Sequence, residues 1–284
     1  MKSNDVNQLM ATPGEIAKIG EEAGAYKAKK NQFYSFLSAI SSGAFIALAF
    51  VFYVTTQTGL GNAPWGLSKF VGGAVFSVGL MMVIVCGTEL FTSSTMSLVA
   101  RVSGKINTFQ MLRNWVVVYF GNFIGAMFIV GLIWFAGQTM AVNGQWGLTV
   151  LKTAQHKIHH AWFEAFCLGM LCNIMVCVAV WMSYAGKSLT DKTLIMILPI
   201  ALFVGSGFEH SVANMFMIPL GIIVSHCSSF DFWQQIGINP EQFADLDGYH
   251  FVVKNLIPVT LGNIVGGGVC IALMQWFTNK PAHH

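Results

Sequence analysis

One histidine stands where histidines are costly. His210 lies deep inside an apolar run, directly after Glu209. An ionisable side chain at membrane depth costs roughly 3 kcal/mol on insertion scales and is usually functional. As neutral imidazole it donates N–H to a carboxylate oxygen; as imidazolium it stabilises an anion or hands it a proton. A structural histidine satisfied by its neighbours is the alternative. A second string, Gly87-Thr88-Glu89-Leu90-Phe91-Thr92-Ser93-Ser94, offers Thr92 as a hydrogen-bond partner. Gly87 loosens the backbone there, as Gly205 and Gly207 do before His210, and Thr92, Ser93 and Ser94 can cap the helix that restarts. A helix restarting at the membrane centre turns free amides and a partial positive charge toward it. That favours an anion.

The companions of these residues carry two readings each. Glu89 and Glu209 would repel an anion from a pore wall, so both are expected to face away, accepting backbone amides at the breaks. Asn173 and Asn214 either orient the glutamates and line a lumen or bond helix to helix. Phe76 and Leu80 share one face, four residues apart, and Phe203 lies shortly before the second break. Together they suit an apolar ring that excludes hydrated ions; lipid-facing or core packing is the other reading. His156, His159 and His160 form an HxxHH cluster at an external helix start. With no acidic or cysteine partner nearby in sequence, exposed interfacial histidines are expected rather than a metal site.

The elements that must position these groups are membrane spans. Hydrophobic residues make up 55% of the chain and charged ones 10%, too apolar for a soluble domain of this length. Six runs are long enough to cross a hydrocarbon core about 30 Å thick: Phe33–Thr56, Phe70–Ala100, Trp115–Gly137, Phe163–Ala185, Ile195–Val224 and Leu256–Phe277. The second and fifth are interrupted. Residues 1–30 lack the apolar core of a signal peptide. With the N-terminus inside, Lys2, Lys18, Lys27, Lys29, Lys30, Arg101, Lys105, Arg113, Lys187, Lys192 and Lys280 are cytoplasmic, and only Lys69, Lys152, Lys157 and Lys254 lie outside. That asymmetry places both termini in the cytoplasm. The six cysteines show no disulfide or metal spacing and read as packing residues.

The chain also repeats itself. Gly121-Asn122-Phe123-Ile124-Gly125 matches Gly262-Asn263-Ile264-Val265-Gly266, and Gly87-Thr88-Glu89-Leu90 matches Gly207-Phe208-Glu209-His210, in the same order. Ser38-Ala39 and Gly43 match Glu164-Ala165 and Gly169 more faintly. Three spans per repeat inverts the second copy, and paired interrupted segments mark a midplane site. The predicted fold is therefore an all-α membrane protein of six helices in two inverted three-helix repeats, second and fifth helices broken. Residues 1–30 form an N-terminal helix and 31–278 the channel domain, with repeats 33–137 and 163–277; 279–284 are a tail. Thr12, Pro13 and Glu15 start the N-terminal helix as a capping box. Its apolar Ile16, Ile19, Ala23 and Tyr26 are expected to face the bundle or bilayer, as a passive anchor or a mobile lid. Asp231–Asp247 reads as an external loop with a little structure.

At these motifs the sequence resembles the formate/nitrite transporter family, its formate channels above all. The strings include Tyr119-Phe120-Gly121-Asn122, Asn143-Gly144-Gln145-Trp146-Gly147, Ser206 to Phe216 and Leu256 to Thr260. The resemblance implies an aquaporin-like homopentamer in the bacterial inner membrane, one pore per protomer, passing formate and similar small monovalent anions. It implies Phe76 and Phe203 at an outer constriction, Leu80, Leu90 and Phe91 at an inner one, and His210 with Thr92 at the centre. Lys157, Asn173 and Asn263 match positions around the pathway, with Glu209 and Asn214 supporting. The N-terminal helix resembles the segment that, in formate channels, responds to pH and meets the cytoplasmic formate-producing glycyl-radical enzyme. No cofactor, metal or nucleic-acid partner is expected. A haem enzyme would need paired intramembrane histidines, and no P-loop, nucleophile elbow or HExxH string is present. A proton-coupled symporter, or a nitrite or hydrosulfide channel, shares the motifs.

Overall fold

Asn31, Asn107 and Ser188 each accept a hydrogen bond from an amide of the helix they start, so membrane helices begin where short polar side chains replace water as the acceptor. A computed structural model describes residues 10–61 and 63–279, and these are helical with no strands. Lys2, Lys280, His283 and His284 lie outside the described residues. The order is α1 (Pro13–Lys29), α2 (Gln32–Gln57), α3 (Trp65–Val85), α4 (Phe91–Ser94), α5 (Leu98–Val102), α6 (Thr108–Phe135), α7 (Gln145–Ile158), α8 (Trp162–Ser183), α9 (Leu189–Gly205), α10 (Ser211–Cys227), α11 (Phe230–Ile236), α12 (Ile257–Ile264) and α13 (Met274–Asn279). A 3₁₀ turn joins α4 to α5, and π-helical turns flank α12, so that His250–Asn279 runs as one 30-residue helix.

Five helices are long and apolar enough to cross a membrane unaided: α2, α3, α6, α8 and His250–Asn279. α9 and α10, of 17 residues each, are separated by a break, and α10 with α11 is long and apolar enough as a pair bent by 105°. The second span breaks after α3. Both breaks begin alike: Gly87 and Gly207 take φ of 64° and 75°, a left-handed conformation that costs a residue with a side chain about 1–2 kcal/mol. Thr88 N–H then donates to Val83 C=O and Phe208 N–H to Phe203 C=O, at 2.9 and 3.0 Å, closing each helix end with the bond pattern that glycine permits. Gly205 is the last residue of α9, so Gly207 alone makes the left-handed turn.

The two halves pack as copies. α2 lies along α6 as α8 lies along α12, and α3 meets α9 across the repeat interface. A side chain on Gly125 would strike the Ile40 carbonyl; one on Gly266 would strike the Met170 carbonyl. The GxxxG spacings therefore serve close packing.

One expectation changes. The N-terminal helix is present with its capping box, but it docks through Ala17, Gly20, Gly24 and Ala28, while Ile19 and Tyr26 stay exposed. Small residues win because Gly24 stacks on the Ser97 backbone and Gly20 on the Trp181 ring; larger side chains would hold the helix off. The segment before the fourth span contains the 14-residue α7, whose Trp146, Val150, Leu151 and Ala154 are buried. α11 and a 3₁₀ turn at Pro240–Phe243 supply the structure expected in 231–247.

Candidate functional site

Each break hangs from one buried asparagine. Asn122 of α6 donates to Ala39 C=O and Glu89 C=O, at 2.8 and 3.0 Å, and accepts Phe91 N–H at 2.8 Å. Asn263 of α12 donates to Gly169 C=O and Glu209 C=O, at 2.8 and 3.0 Å, and accepts Ser211 N–H at 2.9 Å. Every polar atom of each amide is used where no water competes. These two clamps are the inverted repeat written in hydrogen bonds. They also occupy the first amide of each restarted helix, which the sequence reading had left free for an anion. Ser93 and Ser94 do not cap amides; their hydroxyls donate to Leu90 C=O.

His210 caps α10. Its Nδ1 accepts Ala213 N–H at 3.1 Å, and its Nε2 lies 3.1 Å from Thr92 Oγ1. A lone pair on Nδ1 puts the proton of the neutral ring on Nε2, so Nε2–H donates to Thr92. Thr92 Oγ1 is left with its own hydrogen to offer. An imidazolium would instead aim Nδ1–H at Ala213 N–H and lose the cap, worth about 1 kcal/mol. Asn173 holds Thr92 from behind, donating to Thr92 C=O, Thr95 Oγ1 and Asn263 C=O at 3.1, 3.2 and 2.6 Å. Both Asn173 and Asn263 are fully buried, and both carry the site's backbone.

Apolar collars enclose the pair. The Phe76 and Phe203 rings meet edge to face, 5.9 Å apart, and Phe203 stacks on the His210 ring at 6.0 Å. On one side a cavity of about 260 Å³ reaches toward α7, lined by Lys69, Lys152, His156, Lys157 and Glu209 as well as Phe76, Phe203 and His210. On the other side a chamber of about 10 Å³, lined by Leu80, Leu90, Ile46, Val176 and Ile200, touches the same Phe76, Phe203 and His210. Phe91 is not in either. Its ring packs on Tyr119, 4.8 Å away, at the groove between α6 and α12, because the Asn122 clamp fixes its backbone with the side chain turned from the path. It leaves the set of constriction residues.

The glutamate of each break meets lysine. Lys157 Nζ lies 2.8 Å from Glu209 Oε1, and Asn214 and Asn255 donate to Oε2 at 2.7 and 3.1 Å. Glu89 lies 3.6 and 3.5 Å from Lys27 and Lys30 of α1. The glutamates thus take lysine ammoniums rather than backbone amides, and Glu209 lines the cavity instead of facing away. A carboxylate this buried needs a full counter-charge, which break amides already spent on the asparagines do not provide. Asn255 donates to Lys157 C=O and Asn114 to Lys27 C=O, so α1 stands to the first repeat as α7 stands to the second. Beside Lys157, burial first and then the charges of His160 and Lys157 hold His156 below the ordinary histidine range. His159 pairs with Asp245, His160 with Glu164, partners that sequence distance or turn geometry had concealed. Asn255 and Asn114, each seven residues before the repeated glycine, were legible as a matched pair and went unread.

With the geometry set out, likeness to known proteins becomes informative. Residues 14–277 match the family model described as formate/nitrite transporter. The chain belongs to the formate/nitrite transporter family. Among relatives in that family, the formate channel FocA of Haemophilus influenzae is 65% identical over 279 residues, covering 98% of both chains. A solved pentameric formate channel with formate bound is 50% identical, with a TM-score of 0.84, covering 88% of this chain and 98% of that one. A solved FNT family ion channel is 28% identical, with a TM-score of 0.76, covering 94% and 98%. The chain is thus a multi-pass membrane transport protein of the formate/nitrite transporter family and not an enzyme.

Proposed function

We propose that the chain is a bidirectional channel for formate and similar small monovalent anions, working as a homopentamer in a bacterial inner membrane. The observation that carries this reading is one polar pair, His210 and Thr92, sealed between apolar collars on a path with a lysine at each end. Lys157 concentrates anions at the α7 end and Lys27 with Lys30 at the α1 end. Thr92 O–H, polarised by the Nε2–H it accepts from His210, replaces part of the water a carboxylate sheds at Phe76 and Phe203. Nothing in the pair is directional, so flow follows the gradient. The lysine asymmetry supports a cytoplasmic α1 end, with both termini on that side. The relatives' formate-channel names and the pentameric neighbour support the substrate and the assembly. Docking of the formate-producing glycyl-radical enzyme at the α1 end rests on the family resemblance.

A second reading, passage as formic acid with proton coupling, is favoured by the collars, which pass a neutral molecule far more readily than an ion. In that case His210 hands over a proton transiently, at the expense of the Ala213 bond. The deciding experiment is labelled formate uptake into liposomes holding the purified protein, with no proton gradient and then with an inward one. Equilibration without a gradient supports the channel. Accumulation above equilibrium only with the gradient supports coupling, and no movement under either overturns both.

A further inference from the structure

Beside the Lys157–Glu209 pair stands a histidine that neither the clamps nor the central pair employ. His160 sits in the turn between α7 and α8 with 11% of its side chain exposed. Its Nδ1 lies 3.0 Å from Glu164 Oε1. Its Nε2 is buried, makes no hydrogen bond to any described residue, and faces Glu209 Oε1 at 4.0 Å. That same oxygen holds Lys157 Nζ.

The protonation state explains the gap. A neutral ring bonds Glu164 by donating Nδ1–H, which leaves a lone pair on Nε2 opposite a carboxylate oxygen. Two acceptors face each other, and no bond forms. A proton on Nε2 turns that opposition into a charge-assisted hydrogen bond. Glu209 cannot swing away, because Asn214 and Asn255 hold its other oxygen. His160 and Lys157 then share one oxygen, two cations against one carboxylate charge, which weakens the hold on Lys157, and Lys157 has the cavity to turn into.

We propose that His160 is a proton-operated positioning residue of the α7 mouth: once protonated it takes Glu209 and releases Lys157 toward an entering monovalent anion. The groups that face it are Glu164 from α8, Glu209 from the second break, and His156 and Lys157 from α7; Lys69 and Lys152 line the same cavity. His159 is drawn off by Asp245. The His156 ring meets His160 edge-on, centroids 5.1 Å apart, and His156 is held toward its neutral form by burial and by its cationic neighbours. The acidic partners, Glu164 and Glu209, belong to His160.

This inference rests on the formate reading, and the test separates the two. Labelled formate influx is measured in proteoliposomes with the α7 face outward, stepping external pH from about 7.5 to about 5.5 across the histidine range at constant internal pH. The ratio of His160→Gln to wild type removes the formic acid fraction, which is common to both. The expected ratio is near one at the higher pH and lower by about threefold at the lower, the loss of one charge near an anion path. His160→Arg, always cationic, should exceed wild type at the higher pH and converge with it at the lower. A ratio that does not change with pH for either variant, each checked for intact assembly by size exclusion, overturns the role of His160. No formate influx through wild type at either pH overturns the formate reading instead.

Discussion

Removing the Asn263 side chain tests the frame that holds the central pair. Asn263→Ala strands Ser211 N–H and Glu209 C=O in a fully buried setting, while Gly169 C=O, inside α8, keeps its bond within the helix. A buried group left unpaired costs about 1–3 kcal/mol, and carbonyls less than amides, so the sum is about 3 kcal/mol. Asn122→Ala strands Phe91 N–H and Glu89 C=O in the same pattern, with Ala39 C=O kept by α2, and should cost nearly the same. The assay is reversible unfolding of the purified protein in mixed detergent micelles, following helix signal against SDS. Asn31→Ala, which removes an exposed helix cap, is the control and should cost no more than about 1 kcal/mol. Formate flux through surviving Asn263→Ala should fall as well, since the lost bonds flank His210. Two variants within about 0.5 kcal/mol of wild type would refute the clamp argument, because that is the range of an ordinary surface substitution. A large cost in one and none in the other would refute the equivalence of the halves.

Lys157→Met leaves Glu209 as a buried charge without its cation and should destabilise by about 3–5 kcal/mol; adding Glu209→Gln should recover most of that in the same unfolding assay. Gly207→Ala and Gly87→Ala each force a side chain into the left-handed region and should cost about 1–2 kcal/mol, read as a lower thermal midpoint. The 231–247 segment should loosen in acid. Burial raises the Asp245 carboxyl, but hydrogen bonds from Gln155 and His159 outweigh it and hold it below its ordinary 3.8. Its contribution is present above that value and lost as pH falls through the lowered one, so amide exchange in the segment should quicken there and be flat from neutral down to about pH 5.

Much of the architecture was legible because it depends on local chemistry. Apolar runs of membrane length, a glycine that can turn left-handed and a motif that recurs in order each occupy consecutive residues. Gly87 and Gly207 marked the breaks, and His210 with Thr92 stood out by cost and position. What escaped notice depends on distance. Nothing in Glu209 names Lys157, 52 residues away, and nothing in Lys27 names Glu89. The family resemblance put Phe91 in the collar with Leu90, yet its backbone is held by Asn122 and its ring packs on Tyr119 instead. The docking face of α1 was misread for a related reason. Periodicity ranks residues by apolarity, whereas close approach to Ser97 and Trp181 selects for smallness.

The central claim is that His210, neutral and donating through Nε2, governs passage. Labelled formate equilibration is measured in proteoliposomes for wild type and His210→Phe, at neutral and acidic pH, with no imposed proton gradient. The expected result is passive equilibration by wild type at both values and a changed or abolished flux in the variant, which keeps the ring but loses both nitrogens. Wild-type kinetics in His210→Phe at both pH values would contradict a working His210. Failure of formate to move while nitrite or hydrosulfide does would leave the fold intact and the substrate wrong.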